Sequence, residues 1–136
     1  MSYLLDTSAL MAHVLSEPGW ETVDSLFKEK PPAVAISAIT WLEFNVLVRA
    51  LAPNAAEAAE VVTLYQQLLA EAIPVTREIA EVALALRLLT SKRLPNADAL
   101  IAATAKSEGA TLVHRDPHLA AIPHKVVKQI VLPEKG

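Results

Sequence analysis

The chain has 136 residues, 53% of them hydrophobic, a formal net charge of −3 and no cysteine. Such a length and apolar content suit a single domain with a real core, expected to span residues 1–136, and exclude a disordered chain. The cysteine count excludes disulfides and thiolate zinc sites, and the mild acidity gives no general pull toward nucleic acid, so a polyanionic partner would need a local basic patch or metal ions.

The chain opens on an apolar run, residues 3–5, that reads as a buried strand and stops at Asp6, followed by Thr7 and Ser8. No basic segment precedes this run, so no secretory leader is expected. Residues 8–15 then read as a short helix broken near Pro18-Gly19. A second helix at 20–28 is expected to turn Trp20, Val23 and Phe27 inward, and Pro31-Pro32 ends it. Residues 33–36 form a second strand candidate. Ser37 starts a helix whose apolar stripe is Trp41, Phe44, Val48 and Leu51, with Thr40 and Glu43 on another face.

After Pro53-Asn54 comes a long helix at 55–70 and a brief strand at 73–75. Thr76 is a capping candidate for a helix at 77–89. Ser91-Lys92-Arg93 makes a basic loop, and Pro95-Asn96 opens a helix at 97–108 that Gly109 ends. Residues 111–113 are a strand, Asp116-Pro117 starts a helical turn, and a last strand lies within 125–131.

Short apolar strands alternating with helices predict an α/β fold: a small doubly wound parallel sheet of about four to five strands with helices on both faces. In such folds ligand chemistry gathers at the carboxyl ends of the strands, near the switch in strand order. No apolar run approaches the roughly 18 uncharged residues a membrane span needs. With only three glycines and no glycine-rich loop, a dinucleotide fingerprint and a P-loop are excluded.

Of fifteen acidic residues, eleven, Glu17 and Asp24 among them, read as solvated helix faces, termini or loops. The other four stand at strand ends or in apolar surroundings. Asp6 follows the first strand, Glu43 lies between Leu42 and Phe44, Asp98 opens an almost wholly apolar helix, and Asp116 follows the fourth strand. Each has a plainer reading: Asp6 and Asp116 as helix caps, Asp98 as a helix-dipole partner, Glu43 as a paired carboxylate. Together, on one rim of a parallel sheet, four carboxylates would repel one another. The natural counter-charge is a hard divalent cation, Mg²⁺ or Mn²⁺, able to activate water against a phosphodiester. The residues therefore point to a metal-dependent phosphoryl hydrolase.

Four segments carry a family resemblance: Leu4 to Leu10, Ser37 to Glu43, Asp98 to Ala105, and Leu112 to Leu119. In order and spacing they resemble the signature blocks of PIN domains, most of all the VapC-type toxins of toxin–antitoxin pairs. The resemblance implies a cytoplasmic endoribonuclease using Mg²⁺ or Mn²⁺, silenced by a cognate antitoxin and often a homodimer. It implies that Asp6, Asp98 and Asp116 hold metal, with Glu43 ligating directly or through water. Thr7 and Ser8 would orient that first aspartate or a water. Hydrolysis would leave a 5′-phosphate and a 3′-hydroxyl.

One departure stands in the last block, where His114 replaces the usual threonine or serine; it is expected to be a hydrogen-bonded structural residue or a contact to metal or substrate. His13, His118 and His124 show no metal-ligand spacing. Arg49, Lys92, Arg93 and Arg115 are candidates for phosphate contacts, Arg115 the best placed beside Asp116. The alternative to an enzyme is a catalytically silent PIN-like module that binds RNA or protein.

Overall fold

In a computed structural model, which describes residues 2–135, the short apolar runs assemble into one five-stranded sheet. Its strands are β1 (Tyr3–Leu5), β2 (Val34–Ser37), β3 (Ala72–Ile73), β4 (Thr111–His114) and β5 (Gln129–Val131). All pairings are parallel, in the order β3-β2-β1-β4-β5. Central β1 pairs Leu5 with Ile36 on one side and Val113 on the other. The chain steps outward from β1 to β2 and β3, then crosses back to β4 and β5. The switch in strand order therefore lies between β1 and β4, where an open α/β sheet leaves a crevice.

The central strands β1, β2 and β4 are buried along nearly their whole length because both faces of the sheet are covered there, whereas edge strand β5 leaves Val131 exposed. Leu4 and Leu112 pack under α5 (Arg77–Leu89), α6 (Asn96–Glu108) and α7 (Pro117–Ala120). Leu5, Ile36 and Val113 pack under α1 (Thr7–Val14), α2 (Trp20–Phe27), α3 (Ala38–Leu51) and α4 (Ala55–Leu68). Helix α6 is buried nearly all round through Ile101 and the small side chains of Ala99, Ala102, Ala103 and Ala105, which let its backbone lie close to its neighbours. Its opening turn, with Asp98, is thereby drawn into the protein. No helix among the described residues is long and apolar enough to cross a membrane.

Local signals set the helix ends. Ser37, Asn54 and Thr76 cap α3, α4 and α5 through Ile39 N, Glu57 N and Ile79 N. Gly109, at φ 62, closes α6 in the left-handed region that favours glycine. Three expectations shift. Strand β3 is Ala72–Ile73 rather than 73–75, because Pro74 has no N–H to continue the ladder. Leu51 shares the face of buried Phe44 and Val48 but lies in the last turn of α3, past the core, and is 60% exposed. Trp20, the first residue of α2, is 36% exposed and outside the core, which Val23 and Leu26 fill with Phe27 packed against them.

Candidate active site

Strand β1 delivers Asp6 to the switch point. Its N–H donates to the Val113 carbonyl of β4 at 3.0 Å, so the exit of β1 is tied to its neighbour. The side chain caps α1, accepting from Ala9 N at 2.8 Å and from Ser8 Oγ at 2.7 and 2.9 Å. Asp6 is 3% exposed. Burial pushes its carboxyl up to about 7, against the Ala9 and Ser8 hydrogen bonds and with help from the charges of Asp116 and Asp98.

The two hydroxyls after Asp6 have separate partners. Ser8 Oγ also accepts from Arg115 N at 3.1 Å, joining the exits of β1 and β4 through one side chain. Thr7 Oγ1 donates to Glu43 Oε1 at 2.5 Å. Thr40 Oγ1, buried one turn earlier on α3, lies 3.3 Å from Thr7 Oγ1. With the Thr7 proton committed to Glu43, Thr40 is the donor in that second contact. Glu43 is thus a hydrogen-bonded carboxylate, but its flanks are not both buried as expected: Phe44 is, whereas Leu42 is 64% exposed.

Asp98 stands in the first turn of α6. Its carboxyl is raised to about 6, first by burial, then by the charges of Asp116 and Glu43, with His118 pulling the other way. Asp116 caps α7, accepting from His118 N at 2.8 Å and His118 Nδ1 at 3.1 Å. Asp6 and Asp116 are therefore caps and members of an acid cluster at once, and the two readings of their sequence positions are compatible.

His114 is fully buried at the end of β4. Its Nδ1 accepts from Asp116 N at 3.0 Å, so the ring proton sits on Nε2 and is donated to Gln129 Oε1 at 2.8 Å. Gln129 Nε2 in turn donates to the Ile122 carbonyl. Burial holds the imidazole below its usual range and keeps it neutral. With both nitrogens engaged, His114 presents nothing to a metal or substrate and instead fixes the backbone of Asp116.

Asp6, Glu43, Asp98 and Asp116 line one cleft of about 630 Å³. Its other wall is apolar, built from Met11, Leu42, Val46, Leu47 and Ile101, and no lysine or arginine among the described residues lines it. The tightest group is Asp98, Asp116 and His118, whose ligand atoms all lie within 4.8 Å of one another. Asp6 and Glu43 border the same cleft outside that group. Oxygen donors with one imidazole, and two carboxyls, Asp6 and Asp98, whose ionisation burial and neighbouring charge disfavour, suit a hard or borderline divalent cation.

Three sequence expectations are corrected. His118 stands among the acids, because Asp-Pro-His at a helix start returns the imidazole over the capping carboxylate; that spacing was the available signal. Arg115 is turned away from the cleft, its guanidinium bound to Glu17 and its side chain 9% exposed, so it is no free substrate contact. Glu17, expected in solvent, is the half-buried partner of that arginine and also meets Lys135 at 3.0 Å. No local pattern marks Glu17, since its partner is remote in sequence.

The sequence model of the PIN domain matches residues 3–125. Among curated proteins, none matches the chain by sequence. Solved structures do match over nearly their whole length. A toxin–antitoxin complex from Klebsiella pneumoniae is similar at 28% identity and a TM-score of 0.72, covering 96% of this chain and 97% of that one. FitAcB from Neisseria gonorrhoeae is similar at 27% identity and 0.71, covering 94% and 96%. VapBC2 from Rickettsia felis, bound to a fragment of its promoter DNA, shares the fold at 22% identity and 0.75, covering 96% and 99%.

Proposed function

The chain belongs to the PIN domain family, and from that footing we propose that it is a divalent-metal-dependent endoribonuclease, the toxin of a toxin–antitoxin pair. The observation that carries the proposal is the cleft itself: Asp6 and Asp116, which follow β1 and β4, line it together with Glu43 of α3 and Asp98 of α6, and no lysine or arginine among the described residues does. A resident Mg²⁺ or Mn²⁺ would supply the missing positive charge, polarise the phosphodiester and lower the pKa of water.

Asp98 and Asp116, with His118, would hold the cation, and Asp6 and Glu43 would complete the acidic wall. Ser8 keeps Asp6 aimed and Thr7 keeps Glu43 aimed; the His114–Gln129 pair holds Asp116 in place. In the proposed reaction a water oxygen bonds to phosphorus and the P–O3′ bond breaks. One water proton ends on the departing O3′, leaving a 3′-hydroxyl and a 5′-phosphate. The buried, reluctant carboxyls are suited to binding a cation and managing a water proton near neutral pH.

A cognate antitoxin protein is the proposed regulator, supported by the Klebsiella neighbour, itself a toxin–antitoxin complex. A homodimer, and action in the cytoplasm where the RNA substrate is, complete the reading. Purified protein incubated with total RNA should cleave it with Mn²⁺, and lose that activity with EDTA or in Asp98→Asn. Activity surviving either control would overturn the assignment, and Mn²⁺ binding without cleavage would favour a silent binding module.

A further inference from the structure

A second cleft, of about 340 Å³, adjoins the first and shares Asp116 with it. Its walls differ in kind. Ala120, Ala121, Val131 and Leu132 give it an apolar side, and Lys92, from the loop between α5 and α6, stands at its edge with Arg115 and Glu134. The volume lies at the small end of ligand pockets, enough for one nucleotide rather than a folded partner.

The charges in this cleft are unequal in availability. Glu17 occupies the Arg115 guanidinium and also receives Lys135. Lys92 is exposed and has no ion pair or hydrogen bond among the described residues. Arg115 Nη1 is buried without an acceptor among those residues, so this one N–H group of the guanidinium is left unpaired. Glu134 is the one acid here besides Asp116, which keeps the cleft from becoming a strong general anion site.

We infer that this second cleft is a nucleotide subsite: Lys92 holds a phosphate of the RNA strand as it leaves the acidic centre over Asp116, and the base lies against Val131, Leu132, Ala120 and Ala121. The inference rests on the ribonuclease reading for its ligand class. It explains how a net-acidic protein whose catalytic cleft is lined by no lysine or arginine among the described residues retains a polyanion, since an unpaired cation in the adjoining cleft offsets part of that repulsion. The apolar wall accepts any base face, so the subsite positions the strand and does not read its sequence.

The test is binding of a short fluorescein-labelled single-stranded oligoribonucleotide with hydrolysis-resistant phosphorothioate linkages, followed by anisotropy in Mg²⁺, to the full chain, the parent, unsubstituted at the acids. Lys92→Gln should weaken binding about fivefold and lower the slope of log K against log salt by about 0.7, the value for one phosphate contact on a single strand. Lys92→Arg should restore both. Lys106→Gln, at the far end of α6, should change neither. Parental affinity and slope in Lys92→Gln, an equal loss in Lys106→Gln, or no binding by the parent would overturn the subsite. Cleavage by the unsubstituted chain is measured in parallel. Lys92-dependent binding without cleavage removes the nuclease and keeps the subsite, whereas cleavage with Lys92-indifferent binding does the reverse.

Discussion

Arg115 binds Glu17 across the connection from α1 to α2, one residue before the Asp116 carboxylate that the proposed site depends on. Both side chains are largely covered, at 9% and 14% exposure. The backbone N–H of the same arginine is held by Ser8, which also holds Asp6. Residue 115 is thus anchored twice, by main chain to the exit of β1 and by side chain to Glu17, and the Asp116 loop is held against Asp6 as a result.

Glu17→Gln should therefore lower the melting temperature by roughly 5 °C and weaken metal binding more than its distance from the cleft suggests, because Arg115 keeps its charge and loses its counter-ion. Burial raises the Glu17 carboxyl, but hydrogen bonds from Arg115 and Lys135 outweigh it and hold the group below its usual value. The stabilisation is present above the unfolded value of 4.5 and fades as pH falls through the lower folded one. Calorimetry across acid pH checks this: the wild type should lose more stability than Glu17→Gln below about pH 4.

Metal-free protein should become less stable as pH rises from about 4 to about 7. Asp6 and Asp98 go from an unfolded value of 3.8 to about 7 and about 6, so the folded state holds protons that the unfolded state has released. A divalent cation reverses the preference by favouring the ionised carboxyls. The rise in melting temperature on adding Mn²⁺ should be large at about pH 8 and small at about pH 5. An equal rise at both would mean that these acids do not bind it.

Asp98→Asn should reduce cleavage at least about 100-fold, as expected for loss of a metal ligand. It should also stabilise the metal-free protein near neutral pH. The amide keeps the shape of the carboxylate and removes a charge disfavoured by burial and by Asp116. A variant that gains thermal stability while losing both activity and its Mn²⁺ response separates a functional acid from a structural one.

His118→Ala should cost Mn²⁺ about tenfold or more in affinity and leave Mg²⁺ nearly unaffected, because imidazole suits a borderline ion better than a hard one. Titration calorimetry with each metal measures the difference. Equal losses for the two ions would place His118 at the cap of α7 only, through its contact with Asp116 Oδ1.

The sequence by itself determined the architecture and singled out the four acids that line the cleft. Apolar triplets buried on both faces, and capping residues such as Ser37 and Thr76, act over a few neighbouring residues, so their signals lie where their effects do. Only the tertiary structure decided how the site is held and which groups are free in it. It turned Arg115 to Glu17, brought His118 beside Asp98, closed His114 between Asp116 N and Gln129, and left Lys92 open. Those outcomes depend on contacts between distant parts of the chain, where the partner of a charge is set by packing and no local spacing records it.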